Sequence, residues 1–362
     1  WEKKYAFYDV PGMNDEHIVD GHNAQSLSQN KMGIINSNAD GFNVSYGQDF
    51  DGDGKLDVML GETTYATIHI VPAQEYLGIQ WVQDVQTTLI RDFSLGSTIA
   101  YSGASKIDDV TGDGMPDLIL ANEADAPFIK GYLHVIQGSN NTPTSIDLQE
   151  NHQPPIANTP FNYFTFTGEN NGAGAGSALT VGDFDGDGKC DMSIGASGDS
   201  GPMSGSGKIY TLFADEIDKS IQGLNNLFTI TNGKNIVLDG DVELLNGKSI
   251  SGDVNQTYLT SNAAIGVADL NGDGQAELVA GAQFHPQGAR SYVANMLSLK
   301  QSPDFDVPSD TLEHVITGGG KFGAAYSHGA DVDGSGGDSI LITDPAYQNN
   351  KGAAYLFFGG QQ

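Results

Sequence analysis

Gly182-Asp183-Phe184-Asp185-Gly186-Asp187-Gly188-Lys189-Cys190-Asp191 sets carboxylates at relative positions 1, 3, 5 and 9 of a nine-residue run. So many like charges on one short loop repel one another unless a cation sits among them. A hard cation such as calcium takes six to eight oxygens at about 2.3–2.6 Å. Alternate residues of a tight loop can aim side-chain oxygens at it, and a backbone carbonyl near position 7 can add another. Gly186 and Gly188 permit the turn this requires.

The pattern recurs. Further copies run Asp49, Asp51, Asp53, Asp57; then Asp109, Thr111, Asp113, Asp117; then Asp269, Asn271, Asp273, Glu277. These three hold oxygen at all four positions and glycine at position 6, namely Gly54, Gly114 and Gly274. A fifth copy supplies Asp331, Asp333, Ser335 and Asp338, one residue shorter before its last carboxylate, and is expected to bind calcium most weakly or not at all. The cofactor expectation is therefore calcium, in four or five sites. One acidic, glycine-rich loop alone could be a solvated turn, but unrelated turns would not keep one spacing through five copies.

An EF-hand also opens D-x-D-x-D-G, but it needs a bidentate Glu at position 12 and flanking helices. Position 12 here is Leu60, Leu120, Ile194 or Ala280, and the flanks are short apolar runs suited to strands.

The loops begin at residues 49, 109, 183, 269 and 331, which gives spacings of 60, 74, 86 and 62 residues. So long a period implies a unit of several strands. Small residues precede each loop. An apolar strand follows it, then a turn, then an aromatic-rich strand (Tyr132 to Ile136, Lys208 to Phe213, Ala354 to Phe358). A fourth run ends in glycine, as in Val237-Leu238-Asp239-Gly240 and Val315-Ile316-Thr317-Gly318. Four antiparallel strands per repeat predict an all-β chain, a β-propeller of four-stranded blades with the calcium loops between strands 1 and 2. The predicted blades of this single domain, 1–362, span roughly 39–95, 96–168, 169–240, 241–318 and 319–362. Residues 1–21 supply closing or partial-blade strands, Lys4 to Val10 and Glu16 to Asp20. Asp215 to Leu227 is the longest helical pattern and reads as a connector.

The chain resembles the FG-GAP repeats of integrin α-subunit propellers and of bacterial surface proteins, a resemblance that covers nearly its whole length. Phe322-Gly323 stands for the "FG"; Gly195-Ala196-Ser197, Gly281-Ala282-Gln283 and Asp344-Pro345 approximate the "GAP". The resemblance implies calcium loops on one face. It implies a ligand face opposite, built from the loops joining strand 4 to strand 1 and strand 2 to strand 3. His22 to Asn38 and Asp241 to Ser261 read as extended 4–1 loops, with Asn122 to Lys130, Gly198 to Gly207 and Phe284 to Arg290 as the 2–3 loops beside them. Long loops in compact domains commonly carry function.

Composition narrows the partners. Lys and Arg total 16 against 46 Asp and Glu, a formal charge of −30, which disfavours nucleic acid and anionic membranes. Five calcium ions would bring that charge to about −20. Cys190 is the only cysteine, at position 8 where other copies have Leu56, Pro116 and Ala276, so a small packed side chain is expected and no internal disulfide is possible. No apolar run reaches 18 residues, and no basic-plus-apolar leader stands at Trp1. The expectation is a soluble chain, processed or excised from something longer, and secreted or at the cell surface, where millimolar calcium sites fill.

No H-E-x-x-H, G-x-S-x-G or Walker-type loop appears. His69 and His134 sit in strand patterns and read as structural; His285 and His328 fall nearer the ligand face. The functional expectation is a calcium-stabilised extracellular adhesion module for a glycan or protein, and not an enzyme. The alternative is a structural subunit that self-associates through terminal strand edges, with a polysaccharide-active enzyme third.

Overall fold

The computed structural model describes residues 5–7, 17–19, 33–36, 42–46, 49–50, 52, 54, 56–62, 67–71, 78–81, 88–92, 106–122, 130–138, 145–148, 163–199, 205–214, 234–238, 240–244, 247–255, 257–261, 264–312, 314–327 and 329–360. Among these the chain is built almost wholly of strands. β1 (Tyr5–Phe7) and β2 (His17–Val19) form an antiparallel pair, and β3 (Gly33–Asn36) follows. The first large sheet holds β4 (Phe42–Tyr46), β5 (Val58–Glu62), β6 (Thr67–Val71) and β8 (Thr88–Asp92), all antiparallel, with β7 (Gly78–Trp81) in the connection from β6 to β8. The second repeats this order with β9 (Lys106–Asp108), β10 (Asp117–Asn122), β11 (Tyr132–Ile136) and β13 (Tyr163–Thr167), and carries β12 (Ser145–Leu148) in its 3–4 connection.

The third sheet comprises β14 (Ala175–Gly182), β15 (Asp191–Ala196), β16 (Lys208–Leu212) and β18 (Lys248–Ser251), with β17 (Lys234–Val237) and the short helix α1 (Gly240–Leu244) inside its 3–4 connection. The fourth comprises β19 (Ile265–Ala268), β20 (Glu277–Ala282), β21 (Arg290–Asn295) and β23 (His314–Thr317). Its 3–4 connection holds the helix α2 (Met296–Gln301) and β22 (Asp306–Pro308). The fifth sheet pairs β24 (Ile340–Asp344) with β25 (Ala353–Phe357). Bridges Tyr326↔Ile342 and Ala330↔Ser339 lay an irregular first strand along β24.

The strand carried by each 3–4 connection does not stay in its own sheet. It crosses to the outer edge of the preceding fourth strand and pairs there in parallel, β12 on β8, β17 on β13 and β22 on β18, and β7 likewise pairs in parallel with β3. The sheets are thus latched in sequence, and three reach five strands where the repeat pattern predicts four. Edge strands exposed in long runs invite unwanted pairing, and a short parallel cover removes that edge.

This rule corrects two readings. The run through Val237 is not the fourth strand of its repeat, since Val237 ends the latch β17 and Gly240 begins α1; the fourth strand is β18, whose Ser249 and Ser251 are buried. Asp241 to Ser261 is accordingly no extended loop, since it contains α1 and β18, and the true 4–1 connection runs on from Gly252. Of His22 to Asn38, β3 is a strand and the remainder lies outside the described residues, as do Asp215 to Leu227 and His328.

Consecutive sheets pack face to face. Leu118, Leu120 and Ile136 turn back onto Met59, Ile68 and Ile70, while Ile119, Leu133 and Val135 turn forward onto Leu179, Ile194 and Tyr210. The same alternation carries Leu278 and Tyr292 back onto Ile209 and Ile250, and Val279 and Val293 forward onto Ile340 and Ile342. Side chains of a strand point alternately to its two faces, so a strand covered on both reads as one unbroken apolar run, as Asp117–Asn122 does. Truncating a fully buried residue such as Ile194 to Ala would cost about 2–5 kcal/mol. Inside the stack Ser193 Oγ pairs with Thr211 Oγ1 at 2.8 Å.

Gly195 and Gly281 mark close approaches between neighbouring sheets. A Cβ on Gly195 would lie 2.4 Å from Thr260 Oγ1, and one on Gly281 would lie 2.0 Å from the Gly323 carbonyl oxygen. Phe322 is buried and meets Tyr355 edge-on, with ring centroids 5.4 Å apart. In antiparallel order, the 1–2 and 3–4 connections leave one end of every sheet and the 2–3 and 4–1 connections leave the other.

Candidate metal centres

The acidic loops join strands 1 and 2, and among the described residues the conformation at positions 4 and 6 recurs in all five copies. Positions 4 and 6 are glycines with positive φ: Gly52 and Gly54, Gly112 and Gly114, Gly186 and Gly188, Gly272 and Gly274, Gly334 and Gly336. Two left-handed residues fold the loop so tightly that the position-1 carboxylate accepts the position-6 amide in every copy. Asp49, Asp109, Asp183, Asp269 and Asp331 take Gly54, Gly114, Gly188, Gly274 and Gly336 at 2.6, 2.9, 2.8, 2.8 and 3.0 Å. Positions 3 and 5 each accept the amide two residues on. Asp185 and Asn271 take Asp187 N and Asp273 N at 3.1 and 2.8 Å, and Asp187 and Asp273 take Lys189 N and Gln275 N at 2.9 Å. Met115 N donates likewise to Asp113 and Ser335 N to Asp333.

These turns leave carboxylate oxygens gathered on one side. In the third loop, ligand atoms of Asp183, Asp185 and Asp187 all lie within 4.8 Å of one another. Three anionic oxygens, held by backbone amides and half open to solvent, are the donor set of a hard cation and suit calcium better than a soft transition metal. Asp51 and Asp53 of the first loop lie outside the described residues.

Position 9 has a second task. Asp191 Oδ2 accepts Phe184 N at 2.8 Å from its own loop, and Oδ1 accepts Ala214 N at 2.6 Å from the end of the third strand. Asp117 does the same with Thr111 N at 2.8 Å and Gly138 N at 3.0 Å. Glu277 takes Leu270 N at 2.9 Å and Asn295 Nδ2 at 3.2 Å, and Asp57 takes Phe50 N at 2.8 Å. Glu277 Oε1 also accepts Asn271 Nδ2 at 3.1 Å and Asp117 Oδ1 also accepts Thr111 Oγ1 at 3.3 Å, so the position-9 carboxylate chiefly pins the loop to the sheet. Burial is the main cause that raises Asp117 and Asp191 from 3.8 to about 7, and it also raises Glu277.

The fifth loop departs here. With one residue fewer, Asp338 Oδ2 accepts the backbone amide of Asp269 in the fourth loop at 3.1 Å, and Ser335 Oγ donates to the Gly359 carbonyl.

Two contacts are not legible in the loops themselves. Lys300 of α2 reaches back from the fourth sheet to pair with Asp185 of the third loop, its ammonium also 5.0 Å from the Phe213 ring centroid. Gln137 donates to Asp113. Both partners stand at the start of a 3–4 connection, which leaves from the same end as the loops, and only the strand order reveals that. The histidines and the cysteine resolve simply. His69 and His134 are buried in strands, with His134 Nδ1 2.7 Å from Thr165 Oγ1. Cys190 packs against the core between sheets two and three, and burial pushes its thiol pKa up.

Among the described residues no helix is long and apolar enough to cross a membrane. A search of curated proteins finds no match. The FG-GAP repeat model matches residues 175–212 and 261–293. Those spans are β14 to β16 and β19 to β21, the first three strands of sheets three and four with the acidic loop between strands 1 and 2. Over these two spans the chain carries FG-GAP repeats.

Proposed function

We propose that the chain is an extracellular binding module, a propeller of stacked sheets stabilised by calcium in its 1–2 loops, which recognises a glycan or protein through the 2–3 and 4–1 loops. It is a binder, not an enzyme. One observation carries this reading: the acidic loops and the interlocked connections leave opposite ends of the same rigid sheets. Leu259 N–H donates to the Ser206 carbonyl and Thr260 N–H to the Gly281 carbonyl, so neighbouring 4–1 and 2–3 loops form one continuous surface. Loops fixed on a rigid scaffold are where recognition is commonly placed. Asp183, Asp185, Asp187 and their counterparts hold the ion, with Asp191, Asp117, Asp57 and Glu277 fixing each loop to its sheet. FG-GAP repeats are typical of extracellular proteins, and calcium sites of this kind fill at extracellular concentrations, which supports a secreted or cell-surface address.

A polymer tag tests the face. Gln287 is exposed on a 2–3 loop and Gln301 at the acidic end, and Cys190 is partly buried, so cysteines introduced at either glutamine can be labelled selectively. Binding to arrayed glycans and extracellular proteins should be abolished by a polyethylene glycol tag at Gln287→Cys and kept with the tag at Gln301→Cys. The reverse result contradicts the reading.

A second reading, self-association through a sheet edge, draws on the fifth sheet. Leu341, Leu356 and Phe358 are exposed on its outer face, and among the described residues no latch strand covers β23. Light scattering should then show association that Leu356→Lys abolishes.

A further inference from the structure

We propose that Tyr258 and Phe284 form a stacking site for the sugar rings of a neutral polysaccharide. The location rests on the loop-face reading above; the residues and ligand class go beyond it.

The backbone singles out Tyr258. The 4–1 connections of sheets two and three superpose by their hydrogen bonds: Ala175 N donates to Lys130 O and Leu259 N to Ser206 O, then Ser177 N to Gly174 O and Ser261 N to Tyr258 O, each at 3.1 Å. Tyr258 therefore takes the place of Gly174, and Thr260 that of Gly176. The two glycines have φ of 64° and 87°; Tyr258 and Thr260 keep the left-handed conformation at 47° and 67°. Side chains in that region are strained and persist where the surroundings hold them. Thr260 is buried, its Oγ1 3.3 Å from Ser177 Oγ, and serves packing. Tyr258 is 38% exposed, and among the described residues its hydroxyl makes no hydrogen bond.

Phe284 stands beside it, 45% exposed. The rings meet at 86° with centroids 6.3 Å apart, an open aromatic corner, and Lys321 Nζ lies 5.5 Å from the Phe284 centroid. The two loops that present the rings are tied together underneath. Asp253, in the Tyr258 connection, accepts the Tyr292 hydroxyl at 2.8 Å and faces His285 Nε2 at 3.3 Å. His285 follows Phe284, and its Nδ1 accepts the Gln287 amide at 3.1 Å. Burial, with Arg290 nearby, lowers the His285 pKa, while Asp253 beside it acts in the opposite direction. Pre-set geometry of this kind reduces the ordering cost of binding.

The surroundings select the ligand. Lys321 repels a cation, and the chain's charge of −30 repels a polyanion. Asp253 is engaged as above, and Asp344 accepts the amides of Lys321 and Ala346. Two rings fall short of the roughly 800 Å² per partner of a stable protein interface. A pyranose ring fits: its C–H face carries slight positive charge and meets the electron-rich aromatic face, while its hydroxyls reach the polar rim and Lys321.

Native gels cast with dextran, laminarin, galactomannan, xylan or the anionic alginate test this. Retardation of the wild-type chain by at least one neutral polymer is expected. It should weaken at least tenfold in Tyr258→Asn, where asparagine tolerates the backbone, and in Phe284→Ala, and persist in Tyr258→Phe. Unchanged calcium-dependent melting of each variant shows that it is folded. Retardation by alginate alone, or by no polymer, overturns the ligand class. Undiminished retardation of Tyr258→Asn and Phe284→Ala overturns the site while leaving the loop-face reading to the tagged cysteines.

Discussion

Asp185 and Asp191 share one loop and do different work. Asp185 is half-buried, pairs with Lys300 and accepts one amide, whereas both oxygens of Asp191 accept buried amides. Asp185→Asn should therefore leave chelated protein nearly as stable as wild type and reduce the gain in melting temperature on adding calcium. Asp191→Asn replaces one acceptor by a donor facing an amide, so it should cost about 1–3 kcal/mol with or without calcium. Thermal melts of both variants in calcium and in chelator separate the roles; equal behaviour would contradict them. The buried acids also predict a pH response. Burial raises Asp117 and Asp191 to about 7 in the folded chain against an ordinary 3.8, so the folded state holds their protons more tightly than the unfolded one. In chelator their contribution is then most favourable at low pH and is lost as pH rises from about 4 through 7. Urea denaturation in chelator at pH 5 and pH 8 should show that loss, and Asp117→Asn should make it smaller.

The parallel latch strands explain which elements can be read from the chain and which cannot. The five loops are legible because chemistry fixes both residue type and spacing, and a strand such as β10 because burial on both faces makes Leu118 to Ala121 continuously apolar. β18 is not. Lys248-Ser249-Ile250-Ser251 holds one apolar residue, and Ser249 is buried by donating to Asp306 Oδ1 at 2.9 Å, a partner 57 residues away. The Val237 run looks more strand-like and is one, but it belongs to the neighbouring sheet, and no local pattern distinguishes the two. Lys300 and the aromatic corner are illegible for the same reason, since each joins residues from different repeats. Asp306→Ala should leave the Ser249 hydroxyl buried without its acceptor, at a cost of about 1–3 kcal/mol. Hydrogen exchange should rise at residues 248–251 and stay slow at 191–196; a uniform change would show that β22 does not latch β18.

Across the described residues, sheets two, three and four each bury one face against the preceding sheet and one against the following sheet, and the acidic loops line one end of the stack. The loops carry 17 carboxylates within a chain of formal charge −30, so ions bound there both bridge each loop and relieve repulsion between loops. The fifth loop, with Asp338 turned to the Asp269 amide, should take up calcium last. A ligand that binds only the folded state adds about 2.7 kcal/mol per site at a hundredfold excess over its Kd. The most direct measurement is scanning calorimetry of the whole chain in millimolar calcium and in chelator: the account predicts a clearly higher melting temperature with calcium, and identical melting temperatures would contradict it by reducing the five loops to ordinary turns.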